Sequence, residues 1–318
     1  MQIHYALRTA SASLTTGFLF FFFSELVFWA RARPEDSLLN WLQTWLAYSL
    51  MAFLFLTLVA YFRLRSLAAI FLAGAFFGWL AEGVVVQTAY EDLPLSLSFT
   101  GLAWHALITV LGGWYAMQKA LRRDLFPSLC ASLLAGLFWG FWGSTWIYER
   151  DQPASPAAFA LYSFLATILL AACLYLIPRI LSRPFSPSRW SVIGVSGLFL
   201  LLFILGSVPA APLSLLILPF LFLILGMTFW RNRQQESADY PLEWLGTPIP
   251  LRNLATLALM PLLASLFYWI YWLAGLSLPV NWVVYLVTTP AGFILFFLSL
   301  WRIWRGSKPA PESIHKGN

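Results

Sequence analysis

Apolar runs of about twenty residues, the length a helix needs to cross the hydrocarbon core of a bilayer, recur from one end of this chain to the other. Nothing constrains its fold more. In hydrocarbon every backbone N–H and C=O must be satisfied within the segment, so runs of this length predict helices. Ten spans can be read, at about 11–31, 40–62, 67–89, 100–118, 126–147, 157–178, 190–207, 212–230, 253–275 and 281–301. The fold class predicted is an all-α polytopic transmembrane bundle, drawn as five helical hairpins. The longest interval between spans, 231–252, is too short to fold alone. The chain therefore reads as a single integral membrane domain over 1–305, followed by a polar, disordered tail over 306–318.

Charge agrees with this division. Only 10% of residues are charged, and they gather between the spans. With both termini placed in the cytoplasm, all of the 19 Lys and Arg residues except Arg31, Arg33 and Arg150 fall on the cytoplasmic side, as the positive-inside rule requires. The acids lean the other way. The net charge of +6 thus reflects topology and contact with anionic inner-leaflet lipid, and no nucleic-acid partner is predicted. The expected location is a bacterial-type plasma membrane, as a multi-pass protein with membrane lipid as its surroundings and an unknown small-molecule or lipid substrate. Oligomeric state cannot be read. The first span contains Glu25 and is followed by Arg31 and Arg33, unlike a cleaved signal. The two cysteines, Cys130 and Cys173, lie on different spans with no Cys-x-x-Cys, which argues against thiol redox chemistry.

Three ionisable residues break the pattern by sitting inside apolar spans: Glu25, Glu82 and His105. Burial of such groups in a membrane is costly and marks candidate functional sites. Each lies roughly 8–10 Å below the same end of its span, at 1.5 Å per residue. Span three carries Gly74 and Gly78, whose four-residue spacing allows close helix approach, and the stripe continues to Glu82. Span four carries Gly101, His105, Thr109 and Gly113 at the same spacing. Consecutive spans joined by a short loop are usually neighbours, so Glu82 and His105 are expected to meet. Glu25 has no polar stripe beside it, and its facing is open.

Span five repeats the pattern of span three. Leu72-Ala73-Gly74-Ala75-Phe76-Phe77-Gly78 corresponds to Leu134-Ala135-Gly136-Leu137-Phe138-Trp139-Gly140, and both helices run into a loop beginning Tyr-Glu. Spans 3–4 and 5–6 could form a parallel repeat, an architecture of transporters, or could match through shared composition. The stripe of span five reaches Ser144 where span three has Glu82. Glu91, Asp92 and Glu149 complete the candidate binding residues, in the Tyr-Glu loops.

No Gly-rich phosphate loop, Gly-x-Ser-x-Gly or His-Glu-x-x-His motif is present. No metal and no cofactor is predicted. Two functions fit. The first is a secondary transporter or flippase with a protonatable Glu/His site in the outer half of the membrane. The second is a membrane-embedded enzyme that uses the same groups on a lipid or lipid-linked substrate at the outer face. A scaffold protein would have no use for buried charges.

Overall fold

The computed structural model describes residues 2–149, 153–182, 184–233, 240–276 and 279–306; the proposed tail beyond Gly306 lies outside them. Among the described residues the regular structure is helical throughout. Ten helices are long and apolar enough to cross a membrane: α1 Ala6–Trp29, α2 Leu38–Tyr61, α3 Leu67–Val85, α4 Ser96–Arg122, α5 Leu125–Ile147, α6 Pro156–Ile180, α7 Arg189–Ala210, α8 Ser214–Asn232, α9 Leu251–Leu273 and α10 Val280–Arg305. Serine opens four of them. The hydroxyls of Ser37, Ser66, Ser155 and Ser188 each accept a hydrogen bond from the backbone amide three residues on, at 3.1–3.2 Å, which satisfies one orphan N–H of each first turn.

The helices are not equivalent. The most apolar stretch of α3 is 78% buried, and that of α7 is 17% buried. Helices α1 to α4 form an inner group, and the rest present large apolar side chains outward, as a lipid-facing shell does. The pairing also departs from five hairpins. Helices α1 and α2 pack as consecutive partners, as do α3 and α4, but α5 with α6, α7 with α8, and α9 with α10 scarcely approach each other. Instead α9 packs between α5 and α6, α6 lies against α1, and α10 covers α3 and α4. Small residues explain these choices. A Cβ on Gly136 would lie 2.6 Å from the Met260 carbonyl oxygen, and one on Gly140 would lie 2.8 Å from that of Ala264, so both glycines let α5 press onto the α9 backbone.

Two ends of the bundle can be distinguished by charge. The loops after α1 and α3 bring Arg33, Glu35, Asp36, Glu91 and Asp92 to what is called here the acidic end. The segment Tyr240–Pro250 is folded against the opposite, basic end. It contains a short helix, Pro241–Trp244, and buries Leu242, Leu245 and Ile249. The Arg122 guanidinium anchors it by donating to the carbonyls of Leu245 and Thr247, both at 3.0 Å.

In four helices part of the backbone bonds to the fifth residue rather than the fourth, a π winding: Phe22–Leu26 in α1, Ala81–Val85 in α3, Phe99–Met117 in α4 and Phe203–Ser207 in α7. Such winding is rare and is frequent at functional sites. Glu25, Glu82 and His105 all lie within it.

Candidate functional site

Glu82 enters the bundle because the stripe it continues is pressed against α4. A Cβ on Gly78 would lie 2.2 Å from the Gly101 carbonyl oxygen, and one on Gly74 would lie 2.8 Å from Cα of Ala106. The two backbones are thus nearly in contact, and Glu82 faces His105 one turn further toward the acidic end. The His105 Nε2 to Glu82 Oε1 distance is 2.7 Å. Thr88, just past the end of α3, donates its hydroxyl to the other carboxylate oxygen.

His105 is 3% exposed. Its other nitrogen, Nδ1, lies 2.9 Å from Ser24 Oγ on α1, and Ser24 Oγ lies 2.9 Å from Thr109 Oγ1. A carboxylate can only accept. With His105 as a neutral imidazole, the Nε2 proton serves the Glu82 bond, Nδ1 accepts from the Ser24 hydroxyl, and Ser24 accepts from Thr109. The result is a continuous chain: carboxylate, imidazole, hydroxyl, hydroxyl.

The stripe read on α4 does not face one neighbour. Gly101 sits against Trp79 and Gly78 of α3, His105 bridges Glu82 of α3 and Ser24 of α1, Thr109 meets Ser24, and Gly113 sits against the Phe23 ring of α1. The wider winding of α4 carries a four-residue stripe across from α3 to α1.

Glu25 faces the bundle rather than lipid. Its carboxylate accepts from the Tyr48 hydroxyl at 2.8 Å and from the Trp29 indole N–H at 3.0 Å. Glu25, Glu82, His105 and Ser24 line one cavity of about 760 Å³, well within the range of small-molecule sites. Glu91 and Asp92 stand at its rim with Arg33 and Gln43. One flank is formed by the start of α2, where residues 38–47 are not buried against the rest of the protein.

Toward the basic end the polar cluster at His105 gives way to packed aromatic rings. The Phe77 ring lies edge-on to the His105 imidazole at 5.2 Å, Phe20 packs on Phe77 at 4.4 Å and on Phe55 at 5.1 Å, and Phe55 packs on Trp114 at 4.8 Å. All four of these lower rings are fully buried. The polar chain stops at Thr109 above them.

At the rim, Arg33 donates to Asp36 at 2.8 Å and lies 4.4 Å from the centre of the Trp29 ring. Partial burial pushes the Asp36 carboxyl up, but hydrogen bonds from the Arg33 side chain and backbone amide outweigh it and hold Asp36 below the usual aspartate range.

Two other residues singled out in the sequence lie elsewhere. Ser144 is buried but donates to the Phe141 carbonyl of its own helix at 2.7 Å and lines neither cavity of the acidic end. Glu149 accepts from the Asn281 side chain and borders a second cavity. Among the described residues no three His, Cys, Asp or Glu side chains gather as metal ligands would.

Sequence reasoning missed Ser24, Tyr48 and Thr88. Serine and threonine hydroxyls within a helix usually bond their own carbonyls, as Thr15 and Ser49 do here, so nothing in the sequence sets Ser24 apart.

The chain matches no family model, no curated protein and no solved structure. It is an integral membrane protein by its ten apolar helices, and any finer reading rests on the site.

Proposed function

We propose that this protein is a membrane-embedded group-transfer enzyme that works on a lipid or lipid-linked substrate from the acidic end. The observation that carries the reading is the Glu82–His105–Ser24 chain beside a cavity of about 760 Å³. A nucleophile within reach of a base, with the base oriented by a third group, is the general arrangement for an activated hydroxyl. In this scheme the Ser24 oxygen attacks the acyl carbon of the substrate while its proton passes to His105 Nδ1. Glu82 holds the Nε2–H and stabilises the imidazolium that forms. The imidazolium then returns the proton to the departing oxygen, and the acyl group leaves Ser24 for an acceptor hydroxyl by the same steps in reverse. Glu25, held by Tyr48 and Trp29, and the half-open flank at the start of α2 suit a substrate whose polar end enters the cavity while its chain stays in lipid.

The orientation belongs to this proposal. The excess of Lys and Arg at the basic end places that end, with both termini, in the cytoplasm of a cell whose plasma membrane holds the protein. The acidic end then faces outward. Impermeant thiol reagents should label Ser96→Cys and Ser155→Cys in intact cells.

The test of the chemistry needs no knowledge of the substrate. A fluorophosphonate probe, which reacts with activated serine hydroxyls, should label the purified full-length protein at Ser24. Labelling should vanish in Ser24→Ala and fall in His105→Gln. A protein that stays unlabelled, or is labelled equally in Ser24→Ala, would remove this reading.

One observation favours the second reading, a secondary transporter or flippase. The π-wound segments of α1, α3, α4 and α7 give four helices a local point of altered winding. Three of them carry Glu25, Glu82 and His105, where gating motions could pivot. That reading predicts pH-driven uptake in proteoliposomes, abolished by Glu82→Gln, with no labelling of Ser24.

A further inference from the structure

The π winding of α1 changes the bonding of the carbonyl beside Ser24. Val27 donates its backbone N–H to the Phe22 carbonyl, five residues back, where α winding would use that of Phe23. The Phe23 carbonyl released in this way accepts the indole N–H of Trp104 at 3.1 Å, in a buried bond. Trp104 is 2% exposed. Its ring is fixed by three others, at 4.8 Å from Phe28, 4.7 Å from Trp142 and 5.9 Å from Phe138.

Adjacent residues of α4 therefore hold adjacent residues of α1. Trp104 bonds the Phe23 carbonyl, and His105 Nδ1 lies 2.9 Å from the Ser24 hydroxyl. The first contact bears on the second, because Phe23 and Ser24 both lie inside the widened turn Phe22–Leu26. Were Val27 to take the Phe23 carbonyl, the turn would tighten by one residue. One flank of α1 would then rotate against the other by about 100°, the step per residue of an α-helix. A flank turned in this way no longer presents Ser24 to His105. In the widened turn the Phe23 carbonyl loses Val27 as its donor, which is costly in a buried place. The indole N–H removes that cost and so favours the winding that presents Ser24.

We propose that Trp104 is a positioning residue, whose N–H holds the turn of α1 in the winding that brings the Ser24 hydroxyl to His105. The catalytic consequence rests on the reading of Ser24 as the nucleophile, but the geometry is tested apart from reactivity. Trp142 supplies the comparison. It too is a buried indole that donates to a carbonyl of α1, that of Phe28 at 2.6 Å. Trp146 bonds the same oxygen at 2.9 Å, and Phe28 lies beyond the widened turn. Loss of the Trp142 N–H should therefore leave the turn as it is.

The imidazole itself is the readout. The chain has three histidines, His4, His105 and His315, so a background of His4→Gln with His315→Gln leaves His105 as the one nitrogen signal in full-length protein labelled with isotopic histidine. In detergent the Nδ1 resonance should be that of a hydrogen-bonded imine nitrogen, and Ser24→Ala should move it to the unbonded position. Trp104→Phe should move it the same way although Ser24 is intact. So should benzothienylalanine at position 104, which keeps both rings and lacks only the N–H, and which guards against a packing defect in Trp104→Phe. Trp142→Phe should leave the resonance at its parental position. Fluorophosphonate labelling of Ser24 should fall about a hundredfold in both Trp104 variants, the cost of displacing a reacting group by roughly 1 Å, and keep its parental rate in Trp142→Phe. An unlabelled parent would remove the nucleophile reading and the catalytic consequence with it, while the nitrogen resonance still decides whether Trp104 sets the turn. A parental resonance in both Trp104 variants, or an equal shift in Trp142→Phe, would overturn the proposal.

Discussion

Helices α3 and α5 carry nearly the same seven residues, Leu72–Gly78 and Leu134–Gly140, and use them against different partners. In α3 the glycines meet α4, the next helix in the chain; in α5 they meet α9. A stripe of small residues specifies close approach without specifying to whom. The side chain that continues the stripe differs. Glu82 needs a polar partner in the membrane, and α4 supplies His105. Ser144 satisfies itself through the Phe141 carbonyl of its own helix, so α5 is free to press onto an apolar neighbour. The same difference separates a region where packed helices bring ionisable side chains together from one where they join apolar faces. It also means that the hairpins 3–4 and 5–6 pack with different geometry, so the sequence match between them does not carry over into equivalent pairs.

This contrast can be broken most sharply at the ends of the two stripes. Glu82→Gln keeps shape and hydrogen bonding, and should slow fluorophosphonate labelling of Ser24 by about a hundredfold, the lower range for loss of acid–base assistance. Ser144→Ala should label at the parental rate and melt within about 0.5 kcal/mol of it. Equal labelling in Glu82→Gln and parent would reduce the α3 stripe to packing, like that of α5.

Overpacking the stripes comes next. A methyl at Gly78 meets backbone at 2.2 Å, and one at Gly140 meets backbone at 2.8 Å and Cβ of Phe267 at 2.7 Å. Both Gly78→Ala and Gly140→Ala should cost about 1–3 kcal/mol of stability, measured as thermal unfolding in detergent. Only Gly78→Ala should also lower labelling of folded protein, because it separates the helices that hold Glu82 and His105. Loss of labelling in folded Gly140→Ala would show that the two regions are not independent.

A smaller effect is expected at Glu25. Tyr48→Phe removes one of its two donors and should cost about 1 kcal/mol by the same thermal measurement. No change at all would mean that Glu25 is indifferent to its partners and belongs with the packing residues.

The smallest effect lies at the rim. Because Asp36 is held below the ordinary aspartate range in the folded protein, its bonds to Arg33 contribute stability that is complete above the unfolded value, near about 4, and is lost as pH falls through the lower folded value. Asp36→Asn should remove this acid-sensitive component, no more than about 1 kcal/mol for a partly exposed pair. An acid unfolding curve identical in parent and Asp36→Asn would show that the loop contributes nothing to the site-bearing half.

Much of the site could be read from residue spacing alone. Glu82 and His105 each continue a four-residue run of small side chains, at similar depths on consecutive spans, and a costly group on a packing face implies a partner. Glu25 was legible as an anomaly but not in its facing, because phenylalanines surround it in sequence and the donors come from α2 and from the next turn of α1. Ser24 was illegible: a serine in an apolar helix is cheap, and only the approach of α4 turns its hydroxyl toward an imidazole. The Glu149 carboxylate was read into the same group and belongs instead to the neighbouring cavity, since α10 intervenes to bind it through Asn281.

By itself the sequence determined ten stretches long and apolar enough to cross a membrane and the concentration of Lys and Arg at one end, because hydrocarbon tolerates neither unsatisfied backbone nor solvated side chains. It pointed to the α3–α4 pair as well, since Glu82 on one packing stripe needs a polar partner and His105 on the next span offers one. Tertiary structure alone decided that α9 rather than α6 fills the groove of α5, that π winding swings the α4 stripe from α3 to α1, and that Ser24 completes the chain at His105. Those outcomes depend on which of several apolar surfaces fit most closely, and apolar surfaces differ in shape far more than in composition.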